Sequence, residues 1–368
     1  MKKVLILTTS TGQGHNQAAT SVAESFKNAG YEITKLDFLA KNSKFLNDII
    51  VMAYEISAAK FPRTYGLFYN LTDNKYINKF LKIIFFMTRK KVSKVIDEIR
   101  PDIIIATHSI NISVISDLKK QGLKTPFILV VTDFKAHYLY VDSCVDAYIT
   151  GSNYTKQSLM NRTVSPNKIY PIGIPISNRF YTEVTSADTL KDDEYFNILL
   201  MGGSLGLNTI FKVLKELLKN PKKLRITVVC GKNNHLKNKL VKYCQENNFA
   251  NKKLHILGFT QDISYLMDYC DIIVSKPGGL TVTESIVKNI PLVIPFAIPG
   301  QESENIDFLT TEGYSIYIKD LNKINDTVNR LIDNPDELIN LRLKLKELSS
   351  TYSLTKIVDI ANDLISNK

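Results

Sequence analysis

The sequence predicts an α/β protein built as two doubly wound domains. Short runs rich in Val, Ile and Leu recur along the whole chain. They are continuous, not alternating, which is the pattern of parallel strands buried on both faces. Amphipathic stretches of helical period separate them, so successive strands read as right-handed βαβ crossovers. The series is interrupted near the middle, where residues 173–196 are polar and weakly periodic and read as a linker. A length of 368 residues is ample for two cores.

The elements follow in order. KVLILTT (3–9) reads as a strand and residues 16–29 as the helix after it. A helix-like stretch at 78–99 leads into the strand PDIIIATHS (101–109), and FILVVTD (127–133) and AYITGS (147–152) come next. The second half repeats the theme with FNILLMGG (196–203), LRITVVCG (224–231), LHILGF (254–259), DIIVSKPGG (271–279) and PLVIPF (291–296). The expected domains are therefore 1–172 and 197–349, with 350–368 a helix able to return to the first.

Composition excludes several classes. Hydrophobic residues at 44% and charged residues at 23% fit a globular chain and not a disordered one. Cys144, Cys230, Cys244 and Cys270 show no C-x-x-C spacing, so they read as buried thiols of a reducing compartment, not a disulfide frame or a zinc site. The run VLIL is too short for the core of a signal peptide. No apolar stretch is long enough to span a bilayer, and FLKIIFFM (80–87) is interrupted by Lys82. Charge is uneven: residues 1–172 hold 23 Lys/Arg against 13 Asp/Glu, and the rest hold 24 against 23. Within 60–94 nine basic residues meet one acid, Asp73, so a partner of opposite sign is expected on that half.

In open α/β sheets, ligands bind beyond the carboxyl ends of the strands, and the unusual residues gather there. Gly202, Gly203 and Gly206 form a glycine-rich turn before a helix, which suits phosphate through free N–H groups and the helix dipole; a plain tight turn is the alternative. The pattern matches neither standard nucleotide fingerprint. Gly278 and Gly279 open another helix, with Thr281 or Thr283 placed to satisfy its free N–H groups. Glu284 follows about one turn on, able to take a ribose diol or simply to complement the dipole. Gln301, Glu302 and Asn305 suit sugar hydroxyls, or a capped helix start. In TSTGQGHNQAA (9–19), Gly12 and Gly14 let the backbone approach a ligand, and His15 falls at a helix N-terminus. The dipole there keeps an imidazole neutral and usable as a general base; packing the turn is its other role. Asp133 and His137 can pair, or Asp133 can orient another group, and a metal reading lacks a third ligand. The stretch 45–94 interleaves aromatic and basic residues, as a surface that lies on anionic lipid does. A packed helical pair or a single-stranded nucleic-acid surface has the same composition, but no RNA motif accompanies it.

Together these pieces resemble the lipid-directed nucleotide-sugar glycosyltransferases of the GT-B fold, the processive diacylglycerol glucosyltransferases and monogalactosyldiacylglycerol synthases. The matching segments, in family order, are TSTGQGHNQAA, KFPRTYGLFY, VTDFKAH, GIPISNRF, MGGSLG, CGKN, SKPGGLTVTES and PGQESEN. The resemblance implies two Rossmann-like domains facing a cleft, and transfer of a hexose, in the first instance glucose, from a UDP-sugar to diacylglycerol with inversion. It implies His15 as the base on the acceptor hydroxyl, with Asp133 the second catalytic candidate. Glu284 matches the ribose ligand, Gln301, Glu302 and Asn305 the donor-sugar loop, and Gly202, Gly203 and Ser204 the diphosphate turn. Gly14, Gly231, Lys232, Asn233, Phe259, Lys276, Gly278, Gly279 and Thr281 complete the expected donor set. Lys60, Pro62, Arg63, Tyr65 and Tyr69 fall in the region of acceptor and membrane contact, to which Phe85, Phe86, Arg89 and His137 are added. The expected partners are UDP-hexose, diacylglycerol and an anionic membrane surface, with no nucleic acid. No cofactor or metal is expected, and the chain contains no D-x-D to hold a metal on a diphosphate. The expected location is the cytoplasm, peripheral to the inner face of the membrane. One position departs from the pattern: Tyr140 stands where the family's H-x-x-W has Trp, and the chain lacks Trp altogether.

Two rival readings share these motifs. One is an enzyme of the same fold that adds N-acetylglucosamine to a lipid-linked peptidoglycan precursor. The other is a non-catalytic, membrane-associated UDP-sugar sensor.

Overall fold

The computed structural model describes residues 1–9, 13–37, 66, 69, 71–74, 89–182, 194–203 and 208–367. It divides into two compact units, one of Met1–Ser177, Ile298–Asn305 and Thr351–Lys368, the other of Asn178–Ala297 and Ile306–Ser350.

The first unit is a parallel six-stranded sheet in the order β2-β1-β3-β4-β5-β6. Its strands are β1 (Lys3–Thr8), β2 (Glu32–Asp37), β3 (Ile103–Ala106), β4 (Phe127–Val130), β5 (Ala147–Ile149) and β6 (Ile169–Tyr170). Helix α1 (Gln13–Asn28) links the first two, and α2 (Arg89–Ile99), α3 (Ile110–Lys120) and α4 (Asn153–Met160) follow. The unbroken apolar runs have a direct cause. Leu5 and Leu7 of β1 pack on one face with Val92, Ile96, Ile112 and Leu159. Val4 and Ile6 pack on the other with Ala19, Val22 and Phe26 of α1. The last helix of the chain (Lys356–Ser366) covers that second face through Ile357, Val358 and Ala361.

The second unit is also a parallel six-stranded sheet, ordered β12-β11-β10-β7-β8-β9. It contains β7 (Phe196–Met201), α5 (Thr209–Leu218), β8 (Leu224–Val229), α6 (Asn234–Glu246), β9 (Lys252–Leu257) and α7 (Ile263–Asp268). Then come β10 (Ile272–Val274), α8 (Gly279–Val287), β11 (Leu292–Ile294), α9 (Gln301–Thr311), of which the residues up to Asn305 group with the first unit, β12 (Ser315–Tyr317), α10 (Ile324–Asp333) and α11 (Pro335–Ser349). Helix α12 (Lys356–Ser366) ends the chain. Val213, Leu214 and Leu217 of α5 and Leu236 and Leu240 of α6 pack on Ile198, Ile226 and Val228 of the sheet.

Each sheet reverses its strand order once, at β1/β3 in the first unit and at β7/β10 in the second. At such a switch point the loops leaving the two strands diverge and open a crevice. His15 and His108 follow β1 and β3; Gly203 and Lys276 follow β7 and β10. The fold thus collects the unusual residues at the two places where the topology leaves room.

Where the backbone must turn sharply inside the first unit, the constraint is steric. Gly173 has φ +92°, and a Cβ there would sit 2.6 Å from the Tyr352 ring. Gly173→Ala therefore destabilises the protein by about 2–3 kcal/mol, from left-handed strain plus overpacking. A lowered urea midpoint with unchanged slope would register it.

Candidate functional site

The first constellation lies at the β1/β3 switch. The His15 Nδ1 is 2.8 Å from the carbonyl oxygen of Thr107 and 3.2 Å from Thr132 Oγ1. A carbonyl can only accept, so Nδ1 carries the proton and Nε2 keeps its lone pair. Thr107 Oγ1 in turn donates to the His15 carbonyl at 3.0 Å, which fixes the first turn of α1 to the end of β3. Burial lowers the imidazole to about 4, outweighing the Thr107 bond, which acts the other way. His108 packs edge-on against His15, ring centroids 4.4 Å apart. Its Nδ1 accepts from the Ile110 N–H at 3.1 Å, so its proton sits on Nε2. Burial and the neighbouring His15 hold His108 well below the usual histidine range. Two neutral imidazoles with defined tautomers thus stand side by side, and only His15 offers a free nitrogen by this logic.

The second constellation, also in the first unit, is a network around Asp133, which is 3% exposed. Its carboxylate accepts from Tyr140 Oη at 3.0 Å and from Gln301 Nε2. Burial raises it to about 6, against the opposing pull of those hydrogen bonds. Asp133 does not pair with His137. His137 is 1% exposed; its Nδ1 accepts from the Leu139 N–H at 3.0 Å and its Nε2 donates to the Tyr69 carbonyl at 3.1 Å. It therefore presents no surface to a membrane and instead holds Tyr69 in place.

The PGQESEN residues also lie differently from expectation. The segment Ile298–Asn305, expected in the second domain, groups with the first unit. Asn305 is fully buried and accepts from the Phe134 N–H at 3.0 Å. Glu302 is 6% exposed and accepts from the Ile298 N–H at 2.8 Å. Gln301, half-buried, is the residue of the three that retains an open side. Glu304, which the sequence did not single out, accepts from Tyr69 Oη at 2.9 Å and pairs with Lys135 at 3.3 Å. Gly300, φ +100°, lets the Tyr69 ring lie against the backbone, where a Cβ would meet it at 3.1 Å.

The third constellation is at the β7/β10 switch of the second unit. Gly203 has φ +76°, and a Cβ on it would lie 3.2 Å from Lys276 Cε, so the lysine stem crosses the glycine turn. Gly278 caps α8 in extended conformation with no side-chain cap. Thr283 does not serve those N–H groups; its Oγ1 turns back to the Gly279 carbonyl at 2.8 Å. The half-buried Gly279 and Thr281 belong to the same first turn, whose N–H groups and dipole favour an anion. Glu284 is half-buried one turn further on, and burial raises it to about 8. At the neighbouring strand end, Gly231 has φ +58° and Asn233 caps α6, its side chain accepting from the Leu236 N–H at 2.9 Å. Lys232 lies over the ring of Phe259 at 5.9 Å, and Phe259 is 54% exposed.

Other expected residues are simply located. Gly14 lies in the first turn of α1 and Arg89 opens α2. Gly202 directly follows β7 as a buried residue. Ser204, Lys60, Pro62, Arg63, Tyr65, Phe85 and Phe86 lie outside the described residues. Among the described residues no group of His, Cys, Asp and Glu could hold a metal.

Comparison with known proteins shows the family and the fold. Residues 15–176 match the family profile of monogalactosyldiacylglycerol (MGDG) synthase, and residues 197–364 that of the glycosyltransferase family 28 C-terminal domain. The processive diacylglycerol beta-glucosyltransferase of Bacillus subtilis (strain 168) is 30% identical, covering 97% of this chain and 94% of its own. Its counterpart from Bacillus pumilus (strain SAFR-032) is 31% identical, covering 100% and 97%. Among solved structures, Acinetobacter baumannii MurG superposes with a TM-score of 0.64 at 15% identity, covering 99% of this chain and 100% of that one. The Streptomyces sp. SF2575 glycosyltransferase SsfS6, complexed with thymidine diphosphate, also gives 0.64, at 11% identity and the same coverage. At such identities the likeness is one of fold: two Rossmann-like domains of the GT-B type.

Proposed function

The chain belongs to the diacylglycerol glycosyltransferase family that includes the processive β-glucosyltransferases, and from that premise we propose that it moves glucose from UDP-glucose to diacylglycerol with inversion at the anomeric carbon. It is a glycosyltransferase of membrane glycolipid synthesis. The observation that carries the mechanism is the tautomer of His15: Nδ1–H donates to the Thr107 carbonyl, which leaves Nε2 as a neutral base.

In the proposed step the acceptor hydroxyl gives its proton to His15 Nε2 as its oxygen forms a bond to the anomeric carbon. The bond from that carbon to the diphosphate breaks on the opposite side, and UDP leaves. Negative charge then grows on the diphosphate. The first turn of α8, the Gly202–Gly203 turn and Lys276 supply fixed dipoles and a cation for it, so the step uses no metal. Glu284 accepts the ribose hydroxyls. Gln301 meets the sugar, its amide turned by Asp133, which takes the Nε2 hydrogens and leaves Oε1 as the acceptor. The protein works at the cytoplasmic face of the membrane. Among its described residues no helix is long and apolar enough to cross one.

The test is mass spectrometry of lipid products after incubation with diacylglycerol liposomes and a mixture of UDP-glucose, UDP-galactose and UDP-N-acetylglucosamine. Mono- and diglucosyl-diacylglycerol are expected, with or without chelator. Turnover confined to an undecaprenyl acceptor and N-acetylglucosamine would overturn the proposal in favour of the peptidoglycan reading.

A further inference from the structure

The charge of the second half is near balance as a whole, but it is sharply segregated. Residues 208–253 contain twelve lysines and arginines against two acids, Glu216 and Glu246. Residues 254–368 hold ten against sixteen. The basic block coincides with α5, β8, α6 and the start of β9, so the fold lays it out over one region of one unit.

Two helices make its face. Both bury their apolar sides in the core: Ile210, Val213, Leu214 and Leu217 from α5, Leu236 and Leu240 from α6. The 3.6-residue period then turns the lysines outward: Lys212, Lys215 and Lys219 on α5 and Lys239 and Lys242 on α6 are all exposed. The helices meet laterally through Phe211 and Tyr243, whose rings are 5.3 Å apart. Lys215 lies over both rings, at 5.5 and 5.3 Å, and Lys239 lies over Phe211 at 4.6 Å. The lysine stems thus run along aromatic surface while the ammonium groups reach solvent. Both acids of the block are already matched: Glu216 pairs with Lys219 at 2.7 Å and Glu246 with Lys242 at 3.7 Å. Lys212, Lys215 and Lys239 have no carboxylate partner among the described residues.

We propose that the α5/α6 face of the second unit is a membrane-binding surface of its own for anionic lipid, separate from the aromatic and basic segment of the first half. Uncompensated lysines over half-buried rings match a phosphodiester headgroup layer, with ammonium groups at the phosphates and ring edges at the interface. The rings lie under lysines and not open in a groove, so they offer no platform for stacking bases. The proposal does not depend on catalysis, since binding is read without turnover.

The experiment is co-sedimentation of the full chain with vesicles of phosphatidylcholine alone or with phosphatidylglycerol at about one lipid in three. Each lysine near such a surface changes partition about fivefold. Loss of three lysines is worth on the order of a hundredfold, and the Lys212→Glu/Lys215→Glu/Lys239→Glu protein, which reverses each charge, should therefore partition to anionic vesicles more weakly by more than about a hundredfold. Its UDP-induced rise in melting temperature should stay that of the parent. The milder Lys212→Gln/Lys215→Gln/Lys239→Gln protein, chosen to preserve the fold, should lose at least about tenfold, and added salt should narrow the gap. Equal partition of the glutamine variant and the parent overturns the proposal. So does a variant that keeps its vesicle binding but loses binding to single-stranded RNA, which would assign the face to nucleic acid.

Discussion

His15→Ala lowers kcat for glucosyl transfer by about a thousandfold, the middle of the range for losing a positioned general base. Its KM for UDP-glucose stays within about twofold, because in the proposed step the imidazole acts on the acceptor hydroxyl and not on the nucleotide. The pH profile gives a sharper check. Burial holds His15 at about 4, so the neutral base persists well below the usual histidine range. Activity should therefore hold as pH falls from 7 to 5.5, where an ordinary histidine would have lost most of its neutral form. The same shift bears on stability. A histidine whose folded pKa is depressed contributes stability that is present above its unfolded value near 6.5 and is lost as pH falls toward 4. Full turnover in the alanine variant, or a kcat/KM that halves at pH 6.5, would remove His15 from the mechanism.

Glu284→Ala raises KM for UDP-glucose by at least about a hundredfold, since in the proposed mechanism it removes a carboxylate that accepts two ribose hydroxyls at about 1.5–3 kcal/mol each. Burial raises Glu284 to about 8, so the unliganded protein holds it mostly protonated at pH 7. Hydroxyls that donate to it favour the ionised form. UDP binding should therefore release a proton at pH 7 and tighten as pH rises toward 9. Calorimetry in two buffers of different ionisation enthalpy measures that proton directly. Glu284→Gln should bind with no such release. A pH-independent affinity in the parent protein would place the ribose elsewhere.

Much of the architecture was legible because it follows from periodicity. VLIL, IIIA and FILVV are apolar at every position because alternate residues face two different helical layers, as Leu5 and Leu7 against Val4 and Ile6 illustrate. The strands β2, β6 and β12 escaped notice for the converse reason. Glu32–Asp37 is an edge strand with a single buried residue, Leu36, and β6 and β12 are only two and three residues long. Linear charge counting also misled: averaging over the second half concealed the twelve basic residues between 208 and 253.

At the site, residue type was readable and partner was not. His15 could be chosen from GQGH, but Thr107, whose carbonyl sets its tautomer, and Thr132, whose hydroxyl also meets Nδ1, lie 92 and 117 positions away. His108 stood at a strand end with no mark of its contact to His15. Asp133 and His137, four residues apart, could pair, or Asp133 could orient another group; each turned to a distant partner, Gln301 and Tyr69. The sequence by itself determined two parallel sheets, their strand ends and the residue types collected there, because hydrophobic period and glycine placement are local properties. Only the tertiary structure decided which imidazole nitrogen is free, that Asn305 and Glu302 are buried beside the first sheet, and that a lysine face covers α5 and α6. Those depend on strand order and on burial, which act between residues far apart in the chain and leave no pattern along it.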